Sequence, residues 1–174
     1  SVIVMIRHPA AFVLSLKEKG WHLPFYSLAE QPALLRQLPA AITRRILQYA
    51  QERHDIIETS AFAWYVLHYF ISRYQKQYSE WLFIRHEDIC RSPTEKFREV
   101  FSWLNLPFTD RVAYEIGATC FGGKVDDTGA CSGVVRNSQR LVEKWRARLS
   151  SEEVQKIRGI VEEVSCVFYT SYEW

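Results

Sequence analysis

Residues 1–16 read SVIVMIRHPAAFVLSL, and the reading of this stretch decides the fold. Val2 to Ile6 is an unbroken run of strand-forming residues with no polar alternation. Such a run marks a strand buried on both faces, of the kind that lies inside parallel sheets covered by helices. Pro9 suits the first turn of a helix, where its missing N–H would be unpaired in any case. AAFVLSLKEK continues that helix until Gly20 ends it. A cation, Arg7, stands between strand and helix, followed by His8.

Outward from that unit, composition narrows the class. The chain has 174 residues, 48 % of them apolar and 14 % aromatic, enough for one domain spanning 1–174 with a proper core and too rich for disorder. A net charge of +2 creates no field that would draw nucleic acid or an anionic membrane, so neither is expected as a partner. The longest apolar stretch, Ala61 to Ile71, is too short to span a bilayer and contains His68. The opening run has neither the charged leader nor the cleavage site of a signal peptide. Cys90, Cys120, Cys131 and Cys166 form no CxxC pair and give no zinc-like spacing. Cys120 and Cys131 flank a Gly- and Asp-rich loop, which leaves a disulfide open. The expectation is reduced thiols in a soluble cytoplasmic protein.

GWHLPFYSLAEQP reads as a loop with aromatic anchors, and 32–53 as helical with a break at Pro39 and Arg44 and Arg45 facing out. Residues 54–78 form a long helix, apolar around most of its circumference and therefore central. EWLFIRHED supplies a second buried-type strand, Trp81 to Arg85. Ser92-Pro-Thr-Glu95 has the pattern of a capping box opening a helix with Phe97, Val100, Phe101 and Leu104 on one face. A short helix follows at 109–118, then the loop CFGGKVDDTGACSG. Ser150 to Glu153 is another capping box, and Val154, Ile157, Val161 and Val164 are the stripe of the helix it starts. No internal repeat, linker or low-complexity segment stands out.

Two strands joined by a helical crossover make a poor sheet, because they cover neither their edges nor a core. Further strands are expected to pair with them, from an earlier part of a longer polypeptide or from a partner chain. The fold class is α/β, a parallel sheet flanked by helices, with a helix-rich C-terminal part.

Ligands of open parallel sheets bind outside the C-terminal strand ends, where Arg7 sits. The N-terminus of the next helix favours anions, and Ser15, eight residues on, adds a hydroxyl. Cation, hydroxyl and helix terminus together suit a phosphate. Arg7 paired with a carboxylate and Ser15 as ordinary surface would fit the same spacing.

VIVMIRHPAAFVLSLKEKGW resembles the 3′-phosphate-binding segment of sulfotransferases that use PAPS (3′-phosphoadenosine 5′-phosphosulfate), in which an Arg ends a strand and a Ser follows eight residues later in the next helix. WLFIRHEDICRSPTEKFREVFSWLNLPF resembles the family's strand, acidic pair, Pro-started helix and "FLGLPF"-like segment. RNSQRLVEKWRARLSSEEVQKI, with the ending FYTSYEW, is similar to the C-terminal region of bacterial members. The three blocks occur in family order over most of the chain. The resemblance implies the P-loop NTP hydrolase-like sulfotransferase fold, with Arg7 and Ser15 holding the 3′-phosphate of PAPS or of adenosine 3′,5′-bisphosphate. Arg136 would reach the same phosphate or the adenosine, with Ser138 beside it. An Arg fork gives bidentate contacts to phosphate oxygens, and a hydroxyl donates one more bond. The spacing from Arg136 to Trp145 departs from the Arg-Lys-Gly pattern of animal cytosolic members. Arg140, Lys144, Arg146 and Arg148, set against Glu143, read as a solvated helix face.

In the family the acidic pair, here Glu87 and Asp88, is structural. No metal is implied: His8, His22, His54, His68 and His86 show no ligand spacing, and His68 reads as a hydrogen-bonded core histidine. No Gly-rich phosphate loop followed by Lys and Ser or Thr occurs, and CFGGK has no strand before it. The family's 5′-phosphosulfate loop and its catalytic base are therefore expected upstream, and no catalytic residue is assigned here. The acceptor would be a small molecule, glycan or lipid hydroxyl or amine, and a homo-oligomer is compatible with the unpaired strands. Two other readings stay open: a non-catalytic interaction module whose opening strand pairs with another chain, and a small-molecule kinase relative of the P-loop class.

Overall fold

A computed structural model describes residues 1–121 and 138–174. Their elements in chain order are β1 (Ile3–Ile6), α1 (Pro9–Lys19), α2 (Phe25–Ala29), α3 (Pro32–Leu35), α4 (Ala40–Gln51), α5 (Ile56–Gln77), β2 (Leu82–Arg85), α6 (His86–Arg91), α7 (Pro93–Trp103), α8 (Asp110–Phe121), α9 (Ser138–Val142), α10 (Lys144–Arg148) and α11 (Ser151–Ser165), with a 3-10 turn at Ser171–Glu173. The described residues are helix-rich, and their two strands pair in parallel, which is an α/β arrangement. They fall into two units, Ser1–His8 with Gln77–Arg148, and Pro9–Lys76 with Leu149–Trp174.

The first unit holds the sheet. Ile3, Val4, Met5 and Ile6 lie opposite Leu82, Phe83, Ile84 and Arg85. Ile6 is 2 % exposed and Ile84 7 %, but Ile3 is 41 % and Met5 54 % exposed. This corrects the expectation of a strand buried on both faces. Side chains alternate between faces along a strand, and the face of β1 that carries Ile3 and Met5 is the exposed one. From β2 the chain enters α6 with no intervening loop, and Glu87 and Asp88 occupy the first turn, where acids favour the positive end of a helix.

The Ser92 capping box does not form. Ser92 ends α6 and also precedes α7, its side chain makes no capping bond, and Pro93 alone marks the start. At the far end, the Leu106 N–H donates to the Phe101 carbonyl (2.9 Å) and the Asn105 N–H to that of Ser102 (3.0 Å), with Asn105 at φ 55°. These two bonds and a left-handed residue make a Schellman stop.

The second unit is built on α5. Ten of its residues between Ile57 and His68 are buried, Phe62 and Trp64 completely, in agreement with the all-round apolar pattern. α11 packs on α1 through its expected stripe, with Ile157, Val161 and Val164 buried. The Ser150 box is present in both directions, Glu153 N–H to Ser150 Oγ (3.2 Å) and Ser150 N–H to Glu153 Oε2 (3.0 Å). Lys156 joins α11 to the start of α5 by donating to Asp55 (2.5 Å) and Glu58 (2.9 Å). α1 ends at Gly20, whose φ of +62° suits glycine. Arg45 does not face out as expected. Its guanidinium lies 4.4 Å from the Phe62 ring centroid, because a weakly hydrated planar cation packs well on aromatic faces. The segment expected as a loop contains α2, set by burial of Phe25 against Phe62 (5.2 Å) and Tyr49 (5.3 Å). No helix among the described residues is long and apolar enough to cross a membrane.

Candidate anion site at the sheet end

Both strands carry the tripeptide Ile-Arg-His, at 6–8 and at 84–86. The register is offset by one residue, since Ile6 pairs with Arg85. Arg7 therefore leaves β1 level with His86, and Arg85 is held back level with Ile6. The offset gives the two arginines different surroundings.

Arg85 is neutralised locally. Its Nε and Nη2 donate to Oδ2 and Oδ1 of Asp88 at 3.0 and 2.9 Å, a bidentate fork. That fork, more than anything else, holds the Asp88 carboxyl below the usual carboxylate range. Glu87 is buried at 4 % exposure, and its Oε1 accepts the backbone N–H of His8 at 2.9 Å. The acidic pair thus has the structural role expected, one acid for each strand end. Arg7 is half-buried, with Nε fully so.

The imidazole of His8 stacks on Trp145, with centroids 4.9 Å apart and planes within 8°. Both rings are buried, and the Arg146 guanidinium lies over the indole, 4.6 Å from its centroid. Through Trp145 the segment around α10 is fixed to the residue next to Arg7. α9 packs on α6, and Gln139 Nε2 donates to the Arg91 carbonyl at 3.1 Å. Ser138, the first residue of α9, is half-buried.

His86 opens α6, and its ring nitrogens lie 3.6 and 3.7 Å from the Cys90 sulfur. Burial first, and then the charge of Arg7, lowers its pKa. Burial, helped by Glu87, pushes the Cys90 thiol up to about 11, so it is a protonated thiol and no nucleophile.

Of the residues expected to hold the cofactor, Arg7 and Ser138 belong to the unit with the sheet. Ser15 lies in the second turn of α1, half-buried, in the other unit. Arg136 and Cys131 lie outside the described residues. Arg146 and Arg148 are exposed, as expected of a solvated face, whereas Lys144 is half-buried. Sequence reasoning missed His8, His86 and Trp145 as parts of this end of the sheet. The repeated Ile-Arg-His was the available signal.

Similarity to curated proteins points to the sulfotransferases as a class. The chain is 32 % identical to carbohydrate sulfotransferase 1 of Mus musculus over 85 residues, 49 % of this chain and 20 % of that protein, and the Homo sapiens protein matches to the same extent. The Rattus norvegicus protein is 35 % identical over 75 residues, 43 % of this chain and 18 % of its own length. The matched stretch thus spans about a fifth of the length of these relatives. No family model matches the chain, and no solved structure does.

Proposed function

We propose that the chain is part of a sulfotransferase that moves a sulfuryl group from PAPS to an acceptor hydroxyl or amine, leaving adenosine 3′,5′-bisphosphate. The observation that carries this reading is Arg7 just beyond the C-terminal end of a parallel strand, where ligands of open sheets bind. The guanidinium at this end suits an anion with several oxygens.

Arg7 and Ser15 would hold the 3′-phosphate, Arg136 would reach the same phosphate or the adenosine, and Ser138 would lie beside it. PAPS, when bound, supplies the activated sulfuryl group. These residues bind and orient it, and positioning of this kind accounts for much of the rate in transfer reactions. The relatives' name favours a glycan among the possible acceptors. We further read 1–174 as part of one domain of the P-loop NTP hydrolase-like type, its sheet extended past β1 by upstream polypeptide or by a second chain. Among the described residues β1 pairs on one side alone, with β2, and that edge supports the extension.

Calorimetric titration of the intact protein with adenosine 3′,5′-bisphosphate tests the site. Saturable binding is expected, weakened tenfold or more by Arg7→Ala, on the scale of about 1.5–3 kcal/mol for a charged hydrogen bond. Absence of binding, or an unchanged affinity in the variant, overturns the reading.

A further inference from the structure

We propose that the cavity between α2 and the turn from α4 to α5 is a binding site for an acidic sugar, a hexuronate unit of a glycan. It shares no residue with the cofactor site read at Arg7 and goes beyond that reading.

Phe25 creates the cavity. It is 4 % exposed and packs on Phe62 and Tyr49, which draws the start of α2 onto the end of α4. The next residue, Tyr26, is left 60 % exposed. Between 22–26 and 49–59 a cavity of about 350 Å³ remains. That is the small end of ligand pockets, about 300–1,000 Å³, and suits one compact unit. Its back wall is held in place: Tyr49 stacks on His54 at 3.8 Å, and His54 Nδ1 lies 3.3 Å from Glu58 Oε2.

The lining combines three chemistries. Tyr26 presents a ring that no aromatic or cation covers among the described residues. Arg53 is exposed in the turn and makes no hydrogen bond or ion pair among the described residues. The acids next to it in sequence have other partners. Glu52 accepts from Gln48 Nε2 at 3.0 Å and lies 3.6 Å from His54, while Lys156 holds Asp55 and Glu58. Glu52 also lines the cavity, and an ionised carboxylate only accepts. A phosphate would meet Glu52 as a like charge, and a plain aromatic ligand would leave Glu52 and Arg53 unserved. A sugar acid answers all three groups. Its C–H face packs on Tyr26, its carboxylate takes the Arg53 fork, and its hydroxyls donate to Glu52.

The test titrates the intact protein with two tetrasaccharides and follows backbone amide NMR shifts. One is hyaluronan, in which glucuronate alternates with N-acetylglucosamine; the other is chitotetraose, N-acetylglucosamine alone. Hyaluronan should saturate shifts within 22–26 and 49–59 and bind at least tenfold more tightly than chitotetraose. Arg53→Ala should abolish that preference by weakening hyaluronan alone, and Arg53→Lys, which keeps the charge without the fork, should restore part of it. Tyr26→Ala should weaken hyaluronan about tenfold. Both side chains are exposed, so the variants should keep the wild-type spectrum outside the cavity. No saturable binding of hyaluronan, equal binding of the two sugars, or a preference that survives Arg53→Ala overturns the proposal. Hyaluronan binding unchanged in Tyr26→Ala overturns it as well. Binding of adenosine 3′,5′-bisphosphate, which decides the reading of Arg7, is measured separately on the same samples, and its failure leaves the sugar result standing.

Discussion

The backbone N–H of His8 donates a 2.9 Å hydrogen bond to Glu87, 79 residues away along the chain, with both residues buried. The bond fixes the end of β1 to the first turn of α6, so the residue before His8, Arg7, is carried by an anchored backbone. Glu87→Ala would bury the N–H without its acceptor and should cost about 2–3 kcal/mol. Glu87→Gln retains a carbonyl oxygen in the same place and should cost less than about 1 kcal/mol. Urea unfolding of the two variants checks this. Equal losses would mean that the cost comes from packing and not from the bond.

Trp145 reaches the same residue from the other end of the chain. Its indole is 4 % exposed and lies flat on the His8 imidazole. Trp145→Ala removes that surface from a closed site and should destabilise by about 3–5 kcal/mol, the usual range for a large aromatic truncated in a core. Hydrogen exchange offers a local readout: amides of α9 and α10 should lose protection before those of α11. Uniform loss across all three helices would contradict an anchoring role for Trp145.

Much of this was legible in the residues, for reasons that differ from element to element. The long helix α5 announces itself because burial on all sides leaves no polar stripe, and the Ser150 box is purely local chemistry that needs no tertiary support. The resemblance carried by Arg7 and Ser15 pointed to the same class as the curated relatives. What could not be read depends on pairing. The one-residue offset between two identical Ile-Arg-His tripeptides brings Arg7 level with His86, and register is a long-range property. Ser92 has the sequence of a capping residue but also closes α6, and that geometry overrides its propensity. Arg45 has a surface composition, yet Phe62 from another helix gives it a ring to lie on.

Asn105 makes the local rule testable. It stands at φ 55° in the stop that follows α7, a conformation that costs a residue with a Cβ about 1 kcal/mol and is tolerated best by glycine and asparagine. Asn105→Gly should therefore be neutral or raise stability by up to about 0.5 kcal/mol, while Asn105→Ala should lower it by about 1 kcal/mol. Thermal unfolding ranks the three proteins. Alanine as stable as asparagine would show that the left-handed stop contributes nothing.

His68 gives the sharpest pH dependence. It is 5 % exposed and stacked on Trp64 at 3.8 Å; if the ring nitrogen 2.9 Å from the Trp64 carbonyl, Nδ1, carries the proton, it donates there, which suits a neutral ring. Burial pushes its pKa down to about 4, well below the 6.5 of an exposed histidine. Between those values the unfolded chain binds a proton that the folded chain refuses, so stability falls as pH falls, by about 1.4 kcal/mol per unit. From pH 7.5 to pH 5 His68 should thus cost the fold about 2 kcal/mol. His86, also shifted downward, acts in the same direction, so the quantity to measure is the difference between wild type and His68→Phe. The carboxylates held low by their partners, Asp55, Glu58, Asp88 and Glu153, lose their contributions only at more acidic pH. Urea unfolding at both pH values should show a shallower loss in His68→Phe by about 2 kcal/mol. Parallel losses in the two proteins would place the acid sensitivity elsewhere and leave His68 with a packing role alone.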